Sequence, residues 1–169
     1  MDTTPMPAPL NDDLLKEVFH HHLNRIYNGK CFLHKTLPGL VDLASFKGLQ
    51  LAIEEFGGDV LKQIVRMKAI YALLGETPAN NECNPITNII KDEFCLDENQ
   101  TVPLLNDLDL MLYVQVLEHV NITSYRMLIM IAKMLKHDNI IQMLQESFDE
   151  SQDNDKLFTL IAKEYITQD

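Results

Sequence analysis

Four stretches of this chain carry an apolar seam at steps alternating three and four residues, and every seam is interrupted by polar side chains near mid-length. The first runs Leu15, Phe19, His22, Ile26, Lys30, Leu33, Leu37. The second runs Leu49, Ile53, Phe56, Val60, Gln63, Met67, Ile70, Leu74. The third runs Leu108, Met111, Gln115, Glu118, Ile122, Tyr125, Ile129, and the fourth Ile140, Leu144, Ser147, Ser151, Asn154, Phe158, Ile161. This spacing marks one face of a packed helix. Polar groups on such a face are costly unless they pair with one another or hold an ion. The chain is therefore all-α, and its function turns on what sits at the middle of its helices.

Helix ends can be read from local chemistry. Residues 1–10, with Pro5, Pro7 and Pro9, form a flexible lead-in, and residues 11–167 form one domain. Asn11 caps a first helix whose opening turn carries Asp12 and Asp13. Leu37-Pro38-Gly39 ends it near Lys35. A second helix runs from near Ser45 to Leu74, stopped by Gly75. Gly57 and Gly58 mark a weak point, a kink or a close contact within it. Asn84-Pro85 starts a short extra helix through Ile86, Ile89, Ile90 and Phe94. A third long helix begins between Pro103 and Asp107 and ends at Lys136, and Asp138 caps the fourth. No strand-period alternation or tandem repeat is present.

The connections set the topology. Short turns make two antiparallel helical hairpins. A link of about 30 residues joins them, long enough to run the length of a bundle, which gives the ferritin-like four-helix arrangement. A turn near residue 137 brings Asn121 opposite Asn154, within a turn of Glu118 and Glu150. A turn near residue 41 brings Lys30 opposite the stretch from Phe56 to Asp59. The central polar layer is then Lys30, Asp59, Gln63, Glu118, Asn121, Glu150 and Asn154.

Two readings of that layer stand. One is a metal site, because hard and borderline cations want several carboxylates from different helices. The other is a metal-free polar core. Lys30 favours the second: an ammonium has three donors and no acceptor, and it repels a divalent ion. In the metal-free reading Lys30 lies within hydrogen-bonding reach of Asp59, Glu150 or Glu118, and the amides fill the remaining needs. If a metal is held, Asp59, Glu118, His119 and Glu150 are its ligands.

Other candidates are weaker. His20, His21 and His22 splay about 100° apart on a helix and do not chelate together. They read as surface, with His22 turned inward. His119 reads as a packed or rim residue, and His34 and His137 as surface residues near helix ends. Met127, Met130 and Met134 read as core filling. No nucleophile with base and orienting group, and no phosphate-binding loop, can be found, so no catalytic residue is assigned.

Charge narrows the partners. Lys plus Arg number 14 against 25 Asp plus Glu, a formal net charge of −11. This disfavours nucleic acid and anionic membrane surfaces. No run of about 18 apolar residues and no signal-like N-terminus occur, so a cytoplasmic location is expected. Cys31, Cys83 and Cys95 read as reduced thiols, with a Cys83–Cys95 pair left open. A second apolar row, Val114, Leu117, Leu128, Ile131 and Leu135, suggests a homodimer; an adaptor for a partner protein is the alternative.

Four segments resemble the ferritin-like proteins of the bacterial YciE/YciF group: LNRIYNGKCFLHKTLPGL, IVRMKAIYALLGETP, QVLEHVNITSYRML and LFTLIAKEYI. The similarity spans roughly residues 14–165. It implies a dimerising bundle associated with stress responses. It also implies a site similar to a di-iron centre, in which acids on helices 1 and 3 join acid-plus-partner pairs on helices 2 and 4. Carried over by position, the helix 1 Glu falls at Lys30 and the helix 2 pair at Asp59 and Gln63. The helix 3 acid falls at Asn121, with Glu118-His119 kept, and the helix 4 pair at Glu150 and Asn154. The departures at Lys30 and Asn121 weaken iron or manganese binding. The expectation is a non-catalytic, metal-depleted bundle with a structural or stress-associated role and no cofactor. The alternative is a di-iron or di-manganese protein with oxidase or peroxide-consuming activity.

Overall fold

The computed structural model describes residues 10–80, 83–91, 96–97 and 99–167. They form five helices: α1 Asp12–Leu43, α2 Lys47–Leu74, α3 Pro85–Lys91, α4 Pro103–Met134 and α5 Asp138–Thr167. No strand occurs among the described residues.

The helix starts follow the sequence closely. The Asn11 side chain accepts from the Leu14 amide at 2.8 Å, relieving a donor that the first turn leaves open. Pro103 opens α4, where its missing N–H costs nothing. Gly75 closes α2 in the left-handed region at φ 68°, and the Glu76 amide bonds back to the Tyr71 carbonyl at 3.0 Å. Lys136 does the same at the end of α4 with φ 58°. A lysine there is strained, and the His137 amide bonding the Ala132 carbonyl at 3.0 Å helps to hold it. Asp138 is the first residue of α5 and not its cap.

One helix end departs from expectation. Pro38 does not stop α1, which continues to Leu43. Leu37 and Leu40 lie on the buried face to either side, so packing outweighs the single backbone bond that proline removes. Pro38 and Gly39 themselves face solvent. The α1–α2 turn therefore lies at residues 44–46. Tyr71 then bonds Asn24 at 2.6 Å, and a Cβ on Gly57 would meet Leu37 at 3.6 Å. This sets Lys30 level with Gln63 and Ile64, about a turn beyond the expected stretch. α2 runs unbroken through Gly57 and Gly58.

The close helix contact falls at Gly29 instead. A Cβ there would come within 2.7 Å of Asn84 and 2.8 Å of Ile86, so α3 can lie directly on α1 only because Gly29 lacks one. Asn84 caps α3 by accepting from the Thr87 amide at 2.8 Å. The expected extension to Phe94, and any Cys83–Cys95 pair, lie outside the described residues.

The four long helices pack side by side: α1 on α2 and α4, and α5 on α4 and α2, while α3 lies on α1 and α4. Asp107, at the start of α4, accepts from the backbone amide and hydroxyl of Ser45 in the α1–α2 turn. Phe46 stacks on Tyr165 near the end of α5, with centroids 4.5 Å apart. So α4 begins where α2 begins, and the connection after α2 returns the length of the helices. At the α4–α5 hairpin, Gln115 donates to Thr159 at 2.7 Å and His119 lies 3.4 Å from Asp155, the register expected from a turn near residue 137.

The core follows the seams with drift on α1 and α4, where Gln115 is half-buried beside the buried Val114. Leu23 and Asn24 are buried while His22 is only half-buried, because a helix of 3.6 residues per turn rotates away from a strict seven-residue seam. Val114, Leu117 and Leu128 are fully buried in the core, and Ile131 and Leu135 are partly buried against it. They are not a free outer row. The outer face of α4 carries Met130 and Met134 instead, which are exposed and do not fill the core.

Candidate functional site

The polar layer forms where four seams meet. Lys30, Gln63, Glu118, Asn121, Ser151 and Asn154 are all nearly or fully inaccessible to solvent. Lys30 comes from α1, Gln63 from α2, Glu118 and Asn121 from α4, and Ser151 and Asn154 from α5. Tyr125, fully buried on α4, donates its hydroxyl to Gln63 Oε1 at 3.0 Å. Burial pushes its phenol well above the usual range.

Around Lys30 and Glu118 the pairing is sparse. Lys30 Nζ lies 5.6 Å from the centroid of the Tyr125 ring, within cation–π range, and makes no hydrogen bond within the protein. Desolvation pulls its amine down to about 8, opposed by the fields of Glu118, Glu150 and Asp59. Glu118 is raised above the usual carboxyl range, again chiefly by burial, with Lys30 pulling the other way. Asn121 Nδ2 donates to Glu118 Oε1 at 2.7 Å. The Ser151 hydroxyl lies near enough to favour the Glu118 anion, but neither it nor Glu118 Oε2 makes a well-formed hydrogen bond within the protein. Asn121 Oδ1 and Asn154 Nδ2 are also left without protein partners.

The other two acids have left the centre. Glu150 is held bidentate by Arg66, with Nη1–Oε2 at 2.6 Å and Nη2–Oε1 at 2.7 Å, and Arg66 Nε also reaches Glu146 at 3.0 Å. Asp59 pairs with Lys62 at 2.9 Å. Both acids are about one-fifth exposed. The expected direct bonds from Lys30 to Asp59, Glu150 or Glu118 are therefore not made. Water reaches Asp59 and Glu150, and each finds a cation at the rim that costs less to desolvate than Lys30. His119 points outward, 69% exposed, away from the layer.

Arg66 and Lys62 are absent from the expected layer because they lie off the seam of the second helix. Their signal was present in the spacing. Lys62 follows Asp59 by three residues, and Glu146 and Glu150 are four apart, so each set shares a helix face.

This donor set does not suit a divalent metal. Glu118 is the one fully buried carboxylate of the layer, one of its oxygens is taken by Asn121, and an ammonium faces it. Among the described residues, no group of three or more His, Cys, Asp or Glu side chains could hold a metal ion. Nor is any described helix long and apolar enough to cross a membrane.

Comparison with known proteins gives the family and the fold. The family described as "Domain of unknown function (DUF892)" matches residues 14–169. The fold is similar to that of YcfI, a putative structural protein from Rhodopseudomonas palustris, with TM-score 0.81 and 22% identity over 94% of this chain and 98% of that one. It is also similar to the E. coli stress protein YciF, with TM-score 0.84 and 22% identity over 92% of this chain and 98% of that one. The resemblance to the YciE/YciF group is consistent with these matches. No curated protein matches the chain.

Proposed function

The chain belongs to the family described as domain of unknown function DUF892, and from that premise we propose that it is a metal-depleted, non-catalytic ferritin-like four-helix bundle. Its role is structural or stress-associated, in the cytoplasm, with residues 11–167 as one domain. The observation that carries the reading is the fate of the acids. Asp59 and Glu150 are engaged by Lys62 and Arg66, and the one acid left inside faces a lysine. A lysine balances charge without offering an open coordination position. The names of the similar structures, one a stress protein and one a putative structural protein, support the role.

Elemental analysis tests this directly. Protein purified from iron- and manganese-supplemented medium should hold far less than one metal per chain. Stoichiometric iron or manganese, with Lys30 turned away from Glu118, would overturn the proposal in favour of a di-metal oxidase.

The bundle acts as a homodimer in this reading, and the outer face of α4 supports it. Leu112, Val116, Met130 and Met134 are 55%, 38%, 58% and 65% exposed. They fall within one stripe, symmetric about Thr123. An antiparallel second copy would set Leu112 against Met134 and Val116 against Met130, as a two-fold interface requires. Light scattering should give a dimer for the native chain and a monomer for Met130→Lys. A native monomer at micromolar concentration would count against the dimer and leave this face to a different protein partner.

A further inference from the structure

Among the described residues, five buried atoms of the central layer, on three helices, make no well-formed hydrogen bond within the protein: Lys30 Nζ from α1, Glu118 Oε2 and Asn121 Oδ1 from α4, and Ser151 Oγ and Asn154 Nδ2 from α5. Their side chains are all at most 3% exposed. They belong to one place. Glu118 exerts the strongest opposing field on Lys30, Ser151 and Asn121 act on Glu118, and Asn154 follows Ser151 by one helical turn.

The chemistry of the set defines what would satisfy it. Lys30 and Asn154 present hydrogens. Glu118 Oε2 and Asn121 Oδ1 present lone pairs, and Ser151 presents either. A metal ion would meet an ammonium, and an anion would meet a carboxylate. Lys30 and Glu118 already balance one another, so the fitting ligand is neutral, small, and both donor and acceptor. Leaving such groups unbonded in a protein interior is strongly disfavoured. Buried water commonly makes about three hydrogen bonds to groups of this kind.

We propose that this layer is a binding site for a small cluster of ordered water that bridges Lys30 to Glu118 through Asn121, Ser151 and Asn154. The cluster stands where a bundle of this kind would otherwise place a metal, and the inference rests on the metal-free reading above. It gives the lysine and the carboxylate hydrogen-bond partners without bringing them into direct contact. Arg66 and Lys62 contribute by drawing Glu150 and Asp59 to the rim, so that no second carboxylate competes for the ammonium.

The test is an atomic-resolution crystal structure of the whole protein, recorded on and off the iron and manganese absorption edges. The expected result is ordered peaks without anomalous signal, within about 3.2 Å of at least three of the five atoms. Lys30 Nζ bonded directly to Glu118, with no such peak, would overturn the water cluster and leave the metal-free reading standing. An anomalous peak on Glu118 would overturn both. Asn154→Leu should lose the peak nearest residue 154 while the peaks at Lys30 persist, and an unchanged set of peaks would also overturn the proposal. In solution, the Asn154 side-chain amide should show cross-peaks to long-lived water, and their absence counts against the cluster independently of crystal growth.

Discussion

Two sets of charges lie within a few turns of each other along these helices, and they are solved in opposite ways. At the rim between α2 and α5, Arg66 holds Glu150 by two short parallel bonds and reaches Glu146 as well. At the centre between α1 and α4, Lys30 and Glu118 carry the same types of charge. There the lysine lies over the Tyr125 ring and makes no hydrogen bond within the protein, and Glu118 accepts from the Asn121 amide with the Ser151 hydroxyl nearby. The rim charges keep some water and rotamer freedom, so they adopt the fork geometry that arginine favours. The central charges are fixed on packed helices, and burial dominates both of their equilibria. A charge pair on a helix face is thus governed more by its depth than by the residues that form it.

The largest way to break this comparison is to remove one central charge. Glu118→Leu leaves the Lys30 ammonium buried without its counter-charge. The scale for such a loss is about 3–5 kcal/mol, read from urea unfolding at neutral pH. A change below about 1 kcal/mol would mean that Lys30 escapes to solvent in the native protein. Replacing both central charges, Lys30→Met with Glu118→Leu, should recover most of that loss or exceed the native stability.

Titration sharpens the contrast next. Lys30 sits at about 8 in the fold and at its ordinary value of about 10.5 in the unfolded chain. Between those values the unfolded chain holds more protons, so stability rises with pH across about 8 to 10.5, by roughly 3 kcal/mol from this group. Glu118 works in the other direction. Its folded value is raised, so stability falls as pH rises from its ordinary range near 4.5 through that raised value. The groups acting on Lys30 are Glu118 from α4, Glu150 from α5 and Asp59 from α2, with the Tyr125 ring beside it, so the two central titrations are shared and not independent. Urea midpoints against pH, native minus Lys30→Met, should isolate the alkaline rise; a flat difference would break the argument.

Smaller effects belong to the rim. Arg66→Ala should cost about 1–2 kcal/mol, because the bidentate bonds are charge-assisted but partly wet. Raised salt should reduce that cost, whereas the Glu118 variant should respond little. The smallest effect is expected at His119. It is mostly exposed beside Asp155, and His119→Ala should leave the unfolding midpoint unchanged within error. A clear loss would place the histidine in the core machinery after all.

Much of this was legible along the chain. Asn11, Gly75 and Pro103 act where their local chemistry says they should, because a cap depends on residues within one turn. The α4–α5 register was legible too, since a short turn and a constant rise fix which residues face each other. Pro38 misled because the packing of Leu37 and Leu40 is not local, and that shifted Lys30 by about a turn along α2. Gly29 was unremarkable in sequence, because α3 reaches it from more than fifty residues away.

The sequence by itself determined the long helices, most of their buried seams and the presence of polar residues midway along them, because helical periodicity repeats every few residues and needs no knowledge of neighbours. Only the tertiary structure decided which cation each acid takes. Asp59 and Glu150 could equally have faced Lys30, and the choice depends on how deep each lies and which long side chain reaches across the groove between helices. Desolvation depends on every neighbour at once, so Lys30 is left inside with Glu118 while Lys62 and Arg66, which lie off the seam, take the rim.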